Sequence, residues 1–500
     1  MEESAAPESP VCQGLSGPGG LVEEGAAHGL NQPQGDPEDR LPGVGNIAVE
    51  DLDGDGDLDL VSAHAEGMPY LWENDGTGTF TAHHTLYEFM PDDKRNLNGA
   101  AVADLDGDGL PEVLVFSGIF VYSYPNLGSF QFGDGAMLYF HTGEEPPNLM
   151  TLSVADLDQD QDLDFLLPSI GTEPGLLGGP SRVLLQDPPG SWSVSHSLTD
   201  AGEGLNVQAA LATDRDADGD ADLLLFNDLS SRTTFWRNDG VRNGALQLTE
   251  DADDVRMDVE MAGMGMDGAD LNGDGLPDWC VSDVGPLRCF VSSRSGWFDA
   301  GQALGLYPEE WVDLYGTIGW SVDLVDLEND GDLDAVQASG ELFLEQSTGQ
   351  IFRDLIWERE GEVYTDRTAE LEFGDLHNSV GLATADFDGD GAVEVVLGQP
   401  RLPPAYYKNR CTENSWIEVD PVGTGLNVLS IGARVEVEAG GVTQTREIYS
   451  LRSHGQGPSL LHFGLGDVET VDHITVTWPG GAEVVLDQVP ARQRLQVQYP

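Results

Sequence analysis

The chain has 500 residues, with 22 Lys plus Arg against 89 Asp plus Glu and a net charge of −67. That balance leaves no basic surface for DNA or RNA and none for docking on anionic lipid. Apolar residues make up 40%, enough for packed cores, and no apolar run reaches the roughly 18 residues that a membrane-crossing helix needs.

Residues 1–30 read as a flexible acidic arm rich in Pro and Gly. Its start, MEESAAPESPVCQGLSGPGG, lacks the basic head and apolar centre of a secretory signal. The chemistry below needs millimolar calcium. The expected setting is therefore extracellular, at the cell surface or periplasmic, with this sequence starting after a signal.

Seven nine-residue acidic segments follow, starting at Asp51, Asp104, Asp156, Asp214, Asp270, Asp326 and Asp386. Their starts are 53, 52, 58, 56, 56 and 60 residues apart, a period that marks a repeat architecture. Each is preceded by a short run of small and apolar residues (NIAVE, AAVA, LATA). Each is followed by a β-rich apolar run (LVSAHA, VLVFSG, VVLGQP). A further strand with an aromatic and a turn comes 10 to 20 residues later, as in PYLWENDGTGTF (69–80), TFWRNDG (234–240) and AYYKNR (405–410). About four short strands per period, with 63 Gly and 28 Pro supplying turns, predict an all-β, seven-bladed β-propeller over residues 31–410. The arm is expected to supply a strand to the last blade, because the seventh repeat runs out before a fourth strand is evident.

Each acidic segment reads Asp, x, Asp/Asn/Glu, x, Asp, Gly, x, x, Asp/Glu, numbered 1 to 9. The side chains at 1, 3, 5 and 9 and the carbonyl at 7 are the expected ligands, and Gly at 6 permits the left-handed turn. The candidate metal residues are Asp51, Asp53, Asp55, Asp57 and Asp59 in loop 1, and Asp104, Asp106, Asp108, Leu110 and Glu112 in loop 2. Loop 3 offers Asp156, Asp158, Asp160, Asp162 and Asp164, and loop 4 Asp214, Asp216, Asp218, Asp220 and Asp222. Loop 5 offers Asp270, Asn272, Asp274, Leu276 and Asp278, and loop 6 Asp326, Glu328, Asp330, Asp332 and Asp334. Loop 7 offers Asp386, Asp388, Asp390, Ala392 and Glu394. A cage of hard oxygens suits Ca²⁺, up to seven ions with one per blade. No His or Cys in any loop argues for zinc or copper. An EF-hand needs an acid at position 12. Here that position holds Ser62, Val115, Leu167, Leu225, Val281, Gln337 and Leu397. Gln161 stands where Gly is expected, so the third turn is expected to be strained or more open. The seven loops hold 31 of the 89 acids, and without a cation such crowding is repulsive.

After Arg410 the pattern stops. Alternation in ARVEVEA (433–439), TQTREIYS (443–450), HITVTW (473–478) and RLQVQY (494–499) predicts a small antiparallel β domain over residues 411–500.

The seven loops resemble those of FG-GAP/VCBS repeat propellers, the family that includes the integrin α-subunit head. The tail resembles the ASPIC/UnbV domain in Asn414-Ser-Trp416-Ile, Ile431-Gly-Ala-Arg434-Val, His462-Phe-Gly-Leu-Gly466 and Trp478-Pro-Gly-Gly481. The pairing is similar to the cartilage acidic protein family and its bacterial relatives. LNVLS (426–430) and SLRSHGQGPS (450–459) match that pattern loosely. The resemblance implies a calcium-binding extracellular or surface-located protein and supplies no settled activity.

Other chemistry is thin. The sequence holds neither GxSxG nor a phosphate-cradling Gly-Lys-Ser/Thr loop, and its only lysines are Lys94 and Lys408. His377, just before the seventh loop, is the histidine to weigh for acid–base work; His454 and His462 lie in the tail. Cys280 and Cys289 flank a hairpin and are read either as a disulfide or as two buried thiols. Cys12 with Cys411 is a weaker pairing. Two functions stay open. One is a recognition or adhesion module binding a protein or glycan at a surface or in a matrix. The other is a polysaccharide lyase or hydrolase on the propeller face.

Overall fold

A computed structural model describes residues 21–31, 45–63, 69–83, 97–141, 149–171, 178–200, 205–228, 232–307, 318–340, 353–374, 378–400, 402–410 and 413–500. Seven antiparallel sheets follow one another along these residues as blades 1–7. Their innermost strands are Ile47–Glu50, Gly99–Ala103, Ser153–Ala155, Val207–Thr213, Gly265–Ala269, Ile318–Val325 and Gly381–Ala385. Gly and Ala recur there because inner strands crowd their neighbours. A Cβ on Gly265 would lie 2.5 Å from the Trp320 carbonyl on the inner strand of the next blade. The second strands, such as Glu112–Ser117 and Glu394–Gly398, are buried along their whole length, which is why they read as continuous apolar runs.

The ring closes with Val22–Glu23, which pairs with the third strand of blade 7 through Val22↔Lys408 and Glu23↔Tyr407. The strand expected from the N-terminal segment is therefore present. Residues 21–30, placed in the flexible arm by the sequence reading, belong instead to the closing blade, with Leu21 and Leu30 buried in its core.

The C-terminal module is two sheets packed face to face. One has the order Leu461–Gly466, Ser415–Val422, Gln493–Gln498; the other Val442–Glu447, Arg434–Ala439, Thr470–Thr477, Glu483–Pro490. It is not wholly antiparallel, because Ser415–Val422 and Gln493–Gln498 run parallel. A parallel pair needs a long crossover, and the rest of the module supplies it. Val435, Val437, Phe463, Ile474 and Val476 share one apolar core with Leu114, Phe116 and Phe165 of blades 2 and 3.

Residues 450–456 of this module enter the centre of the propeller and touch every blade. The Ser450 hydroxyl accepts the Val154 N–H at 2.9 Å in blade 3, and the Ser453 hydroxyl donates to the Gln208 carbonyl at 3.1 Å in blade 4. Arg452 pairs with Asp267 of blade 5 and with Asp323 of blade 6 at 3.0 Å. Gly455–Gln456 adds a parallel strand to blade 1. Gln456 accepts from and donates to the Val102 backbone at 3.0 and 2.8 Å in blade 2. In blade 7 a Cβ on Gly455 would stand 2.0 Å from the Leu382 carbonyl, so this passage requires glycine.

Candidate metal centre

Each acidic segment is the turn between an innermost strand and the next one, so the seven loops gather on one face of the wheel. The backbone of each loop is held by its own acids. In all seven loops the position-1 carboxylate accepts the N–H of position 6 at 2.7–3.0 Å. The position-5 carboxylate accepts the N–H of position 7 in every loop, from Asp55 to Asp390. In six loops the position-9 carboxylate accepts the N–H of position 2. Positions 4 and 6 are left-handed in every loop, so the tight curl needs two such residues where the sequence pattern pointed to one. Gln159 and Gln161 take φ of 62° and 74°, and Gln161 still donates to Asp156 at 3.0 Å. The third loop is thus strained rather than open, at about 1 kcal/mol for each such non-glycine residue.

Ligand oxygens converge to within 4.8 Å of one another in five loops: Asp51, Asp53 and Asp59; Asp104, Asp106 and Asp108; Asp156, Asp158 and Asp164; Asp214, Asp216 and Asp218; Asp386, Asp388 and Glu394. Among the described residues, loops 5 and 6 do not bring three carboxylates together in this way. In loop 5 the neutral Asn272 takes the place of a carboxylate; its amide donates to the Ser292 carbonyl at 3.1 Å, and the Ser292 hydroxyl donates to Asp274 at 2.9 Å. In loop 6 the longer Glu328 lies against Asp334, and burial with that like charge pushes its carboxyl up to about 12.

The loops fit a hard divalent ion in two respects. Their donors are all oxygen. Buried carboxylate oxygens of Asp158 and Asp162 also have no hydrogen-bond partner among the described residues, a costly state that a cation relieves. Burial pushes the position-9 carboxyls up, Asp59, Glu112, Asp164 and Asp222 to about 8 and Asp278 to about 7. At position 1, burial raises Asp156 to about 6 and Asp326 and Asp386 to about 7. In loops 1 to 4 the converging carboxylates would hold Ca²⁺, which would supply charge neutralisation and fix the turn.

The face bearing the loops is not open. The C-terminal module lies across it. Arg494 donates to the Gly56 carbonyl at 2.7 Å, and Leu426 N–H to the Gln161 carbonyl at 3.0 Å. Asn414 donates to the Glu328 carbonyl at 2.8 Å, and His462 Nε2 lies 2.6 Å from Asn329 Oδ1. The Trp416 ring sits over Gly391, where a Cβ would come within 1.8 Å of it.

A set of residues outside the acidic motif links neighbouring loops. Asn74 donates to the Leu58 carbonyl of its own loop at 3.0 Å and to Phe387 of the preceding blade at 2.8 Å. Asn126 reaches Leu52, Asn238 reaches Leu157, and Asn409 reaches Leu327 in the same way, while Arg359 reaches Leu271. Their sequence signal was the Asn just after the aromatic strand, in WENDG, WRNDG and YYKNR.

Of the other candidates, Cys280 and Cys289 face each other on adjoining strands and are disulfide-bonded. His377, Cys12, Cys411 and Lys94 lie outside the described residues. His454 is buried in the central segment and His462 docks on loop 6.

Comparison with known proteins agrees with this geometry. Residues 51–115 match the FG-GAP-like repeat and residues 423–500 match ASPIC and UnbV. The chain carries an FG-GAP-like repeat and a C-terminal ASPIC/UnbV domain. It is similar to cartilage acidic protein 1 of Xenopus tropicalis, at 25% identity over 482 residues, covering 87% of this chain and 70% of that protein. Among solved structures, an Agrocybe aegerita lectin described as recognising non-reducing terminal N-acetylglucosamine aligns at 16% identity and TM-score 0.45, covering 74% of this chain and 94% of its own. BBS1N in complex with ARL6DN aligns at 12% identity and TM-score 0.43, covering 76% and 98%. The ASPIC/UnbV match includes the segment that fills the propeller centre, so the FG-GAP wheel and this domain form one packed unit.

Proposed function

We propose that this is a calcium-binding recognition or adhesion protein of the cell surface or extracellular space, with calcium structural and a protein or glycan as ligand. The observation that carries the reading is the convergence of carboxylate oxygens in loops 1 to 4, on the face where the ASPIC/UnbV domain rests. An ion bound in such a loop offsets local repulsion and fixes the backbone that the domain touches, so its binding free energy adds to folding free energy. The Cys280–Cys289 bond supports an oxidising compartment. Because the domain covers the loop face, a partner is expected at the opposite face or on the rim.

The test is calcium stoichiometry on the purified protein with melting curves in calcium and in chelator. Bound calcium and a higher melting temperature with the metal are expected. Replacing both Asp53 and Asp55 by Asn should lower both quantities; unchanged values would remove the structural role of that loop.

A further inference from the structure

In the seventh loop a side chain already stands where a metal would. Lys408 Nζ lies 2.6 Å from Asp388 Oδ2, 3.3 Å from Asp390 Oδ2 and 2.7 Å from Glu394 Oε1. These are positions 3, 5 and 9 of the loop, so three ammonium protons meet three carboxylates. We propose that Lys408 is the resident cation of the seventh loop and that this loop takes no calcium. The proposal rests on the reading of the FG-GAP loops as calcium sites and states which of them is exempt.

Sterics and burial support it. Calcium needs its oxygens at about 2.3–2.6 Å, and an ion at that distance from the same three atoms would overlap the ammonium nitrogen. The lysine cannot simply withdraw. It is 8% exposed, and its strand, Ala405–Lys408, is clamped between Glu394–Gly398 and Val22–Glu23. Withdrawal would leave a desolvated ammonium without its partners, or Glu394 fully buried and unpaired.

Among the described residues no other blade is built this way; in blade 2 the residue opposite position 9 is Pro125. The residue opposite position 9 is Glu73 in blade 1, Leu185 in blade 3, Val291 in blade 5 and Glu358 in blade 6, by the registers of those sheets. Blade 4 has Arg237 there, but it is 40% exposed and pairs with Asp239 at 3.2 Å. Arg215 in the same blade approaches Asp222 at Oδ2, the oxygen that in loops 1, 3 and 5 takes the position-2 N–H. Blade 7 is also where the ring closes on the N-terminal strand. A covalently tethered cation at that seam keeps closure independent of free calcium.

The experiment measures calcium per chain by atomic emission after removal of metal and dialysis against calcium, for the full chain and two variants. Lys408→Met should bind one more ion than the parent, and Asp388→Asn should bind the same number as the parent. If Lys408→Met gains none, or Asp388→Asn loses one, the proposal is overturned. A second readout is independent of metal uptake by the other loops. Acylation by an N-hydroxysuccinimide ester, mapped by mass spectrometry, should leave Lys408 protected to the same extent with and without calcium. Reactivity that rises on adding calcium would show the ammonium displaced and would refute the idea. A parent chain that binds no calcium while Lys408 stays protected would instead remove the calcium reading of the other loops.

Discussion

His454, carried into the propeller centre by the ASPIC/UnbV domain, stands edge-on to Trp320 of blade 6, with ring centroids 5.7 Å apart and planes at 72°. The imidazole is 1% exposed, and among the described residues neither ring nitrogen has a hydrogen-bond partner. Burial alone pushes it from 6.5 down to about 4. A histidine depressed in the folded state stabilises the fold above pH 6.5 and loses that contribution as pH falls through about 4. The expected loss between those values is about 3 kcal/mol. His454→Phe keeps an aromatic edge against Trp320 and removes the titration. The variant should melt near the parent temperature at pH 7 and above it at pH 4.5. Parallel melting-versus-pH curves for the two proteins would show that His454 does not govern acid sensitivity.

How legible all this was in the sequence depends on range. The blades were readable because each buries a continuous apolar run beside a short acidic turn, as in Asp104–Glu112 followed by VLVFSG. The ring closure was readable because blade 7 lacked a fourth strand. The tail strands at Arg434–Ala439 and Gln493–Gln498 were readable from period-2 alternation. The central segment was not, because Arg452, Ser453, His454 and Gly455 show no periodicity and their partners lie far away in sequence. Ser453 meets Gln208, and Gln456 meets Val102, across separations of 245 and 354 residues. Lys408 was noticed only as a rare lysine. Its meaning comes from register, which puts it opposite Glu394 and turns both side chains into the loop. Asn272 and Glu328 are visible in the sequence as the departures from Asp at position 3, but their hydrogen-bonded and buried partners, Ser292 and Asp334, come from packing.

Calcium and protons should oppose each other at position 9. In metal-stripped protein, Asp59, Glu112, Asp164 and Asp222 are held near 8 by burial. A carboxyl raised in the folded state contributes stability at low pH, and that contribution fades as pH climbs from about 4 through about 8. Metal-stripped protein should therefore lose roughly 5 °C or more in melting temperature between pH 5.5 and 8. With saturating calcium the trend should reverse over the same range, because the ion requires the deprotonated ligands. Calorimetry at pH 7 in two buffers of different ionisation enthalpy should also register proton release on binding. Identical slopes with and without calcium would mean that these carboxyls do not exchange protons for metal.

The loops should also be coupled to one another through the asparagines that bridge them. Asn238 is 1% exposed. Its amide donates to the Ala221 carbonyl in its own loop at 3.1 Å and to the Leu157 carbonyl of the preceding blade at 2.8 Å. Leu157 is position 2 of loop 3, and its own N–H donates to Asp164, the position-9 acid. Asn238→Ala leaves two buried carbonyls without that donor, at a cost of about 1–3 kcal/mol each when unsatisfied. Asn238→Asp should be worse, since it brings a carboxylate to two carbonyl oxygens and to the neighbourhood of Asp222. Both variants should melt lower than the parent. Asn238→Ala should also weaken calcium binding at loop 3, whose carboxylates it never touches, while leaving loop 1 unchanged. That distinction can be read by placing Asp53→Asn or Asp158→Asn in the Asn238→Ala background and comparing which combination removes a further tight site. If the alanine variant weakens both loops equally, the bridge acts on the stability of the whole wheel rather than on its neighbour.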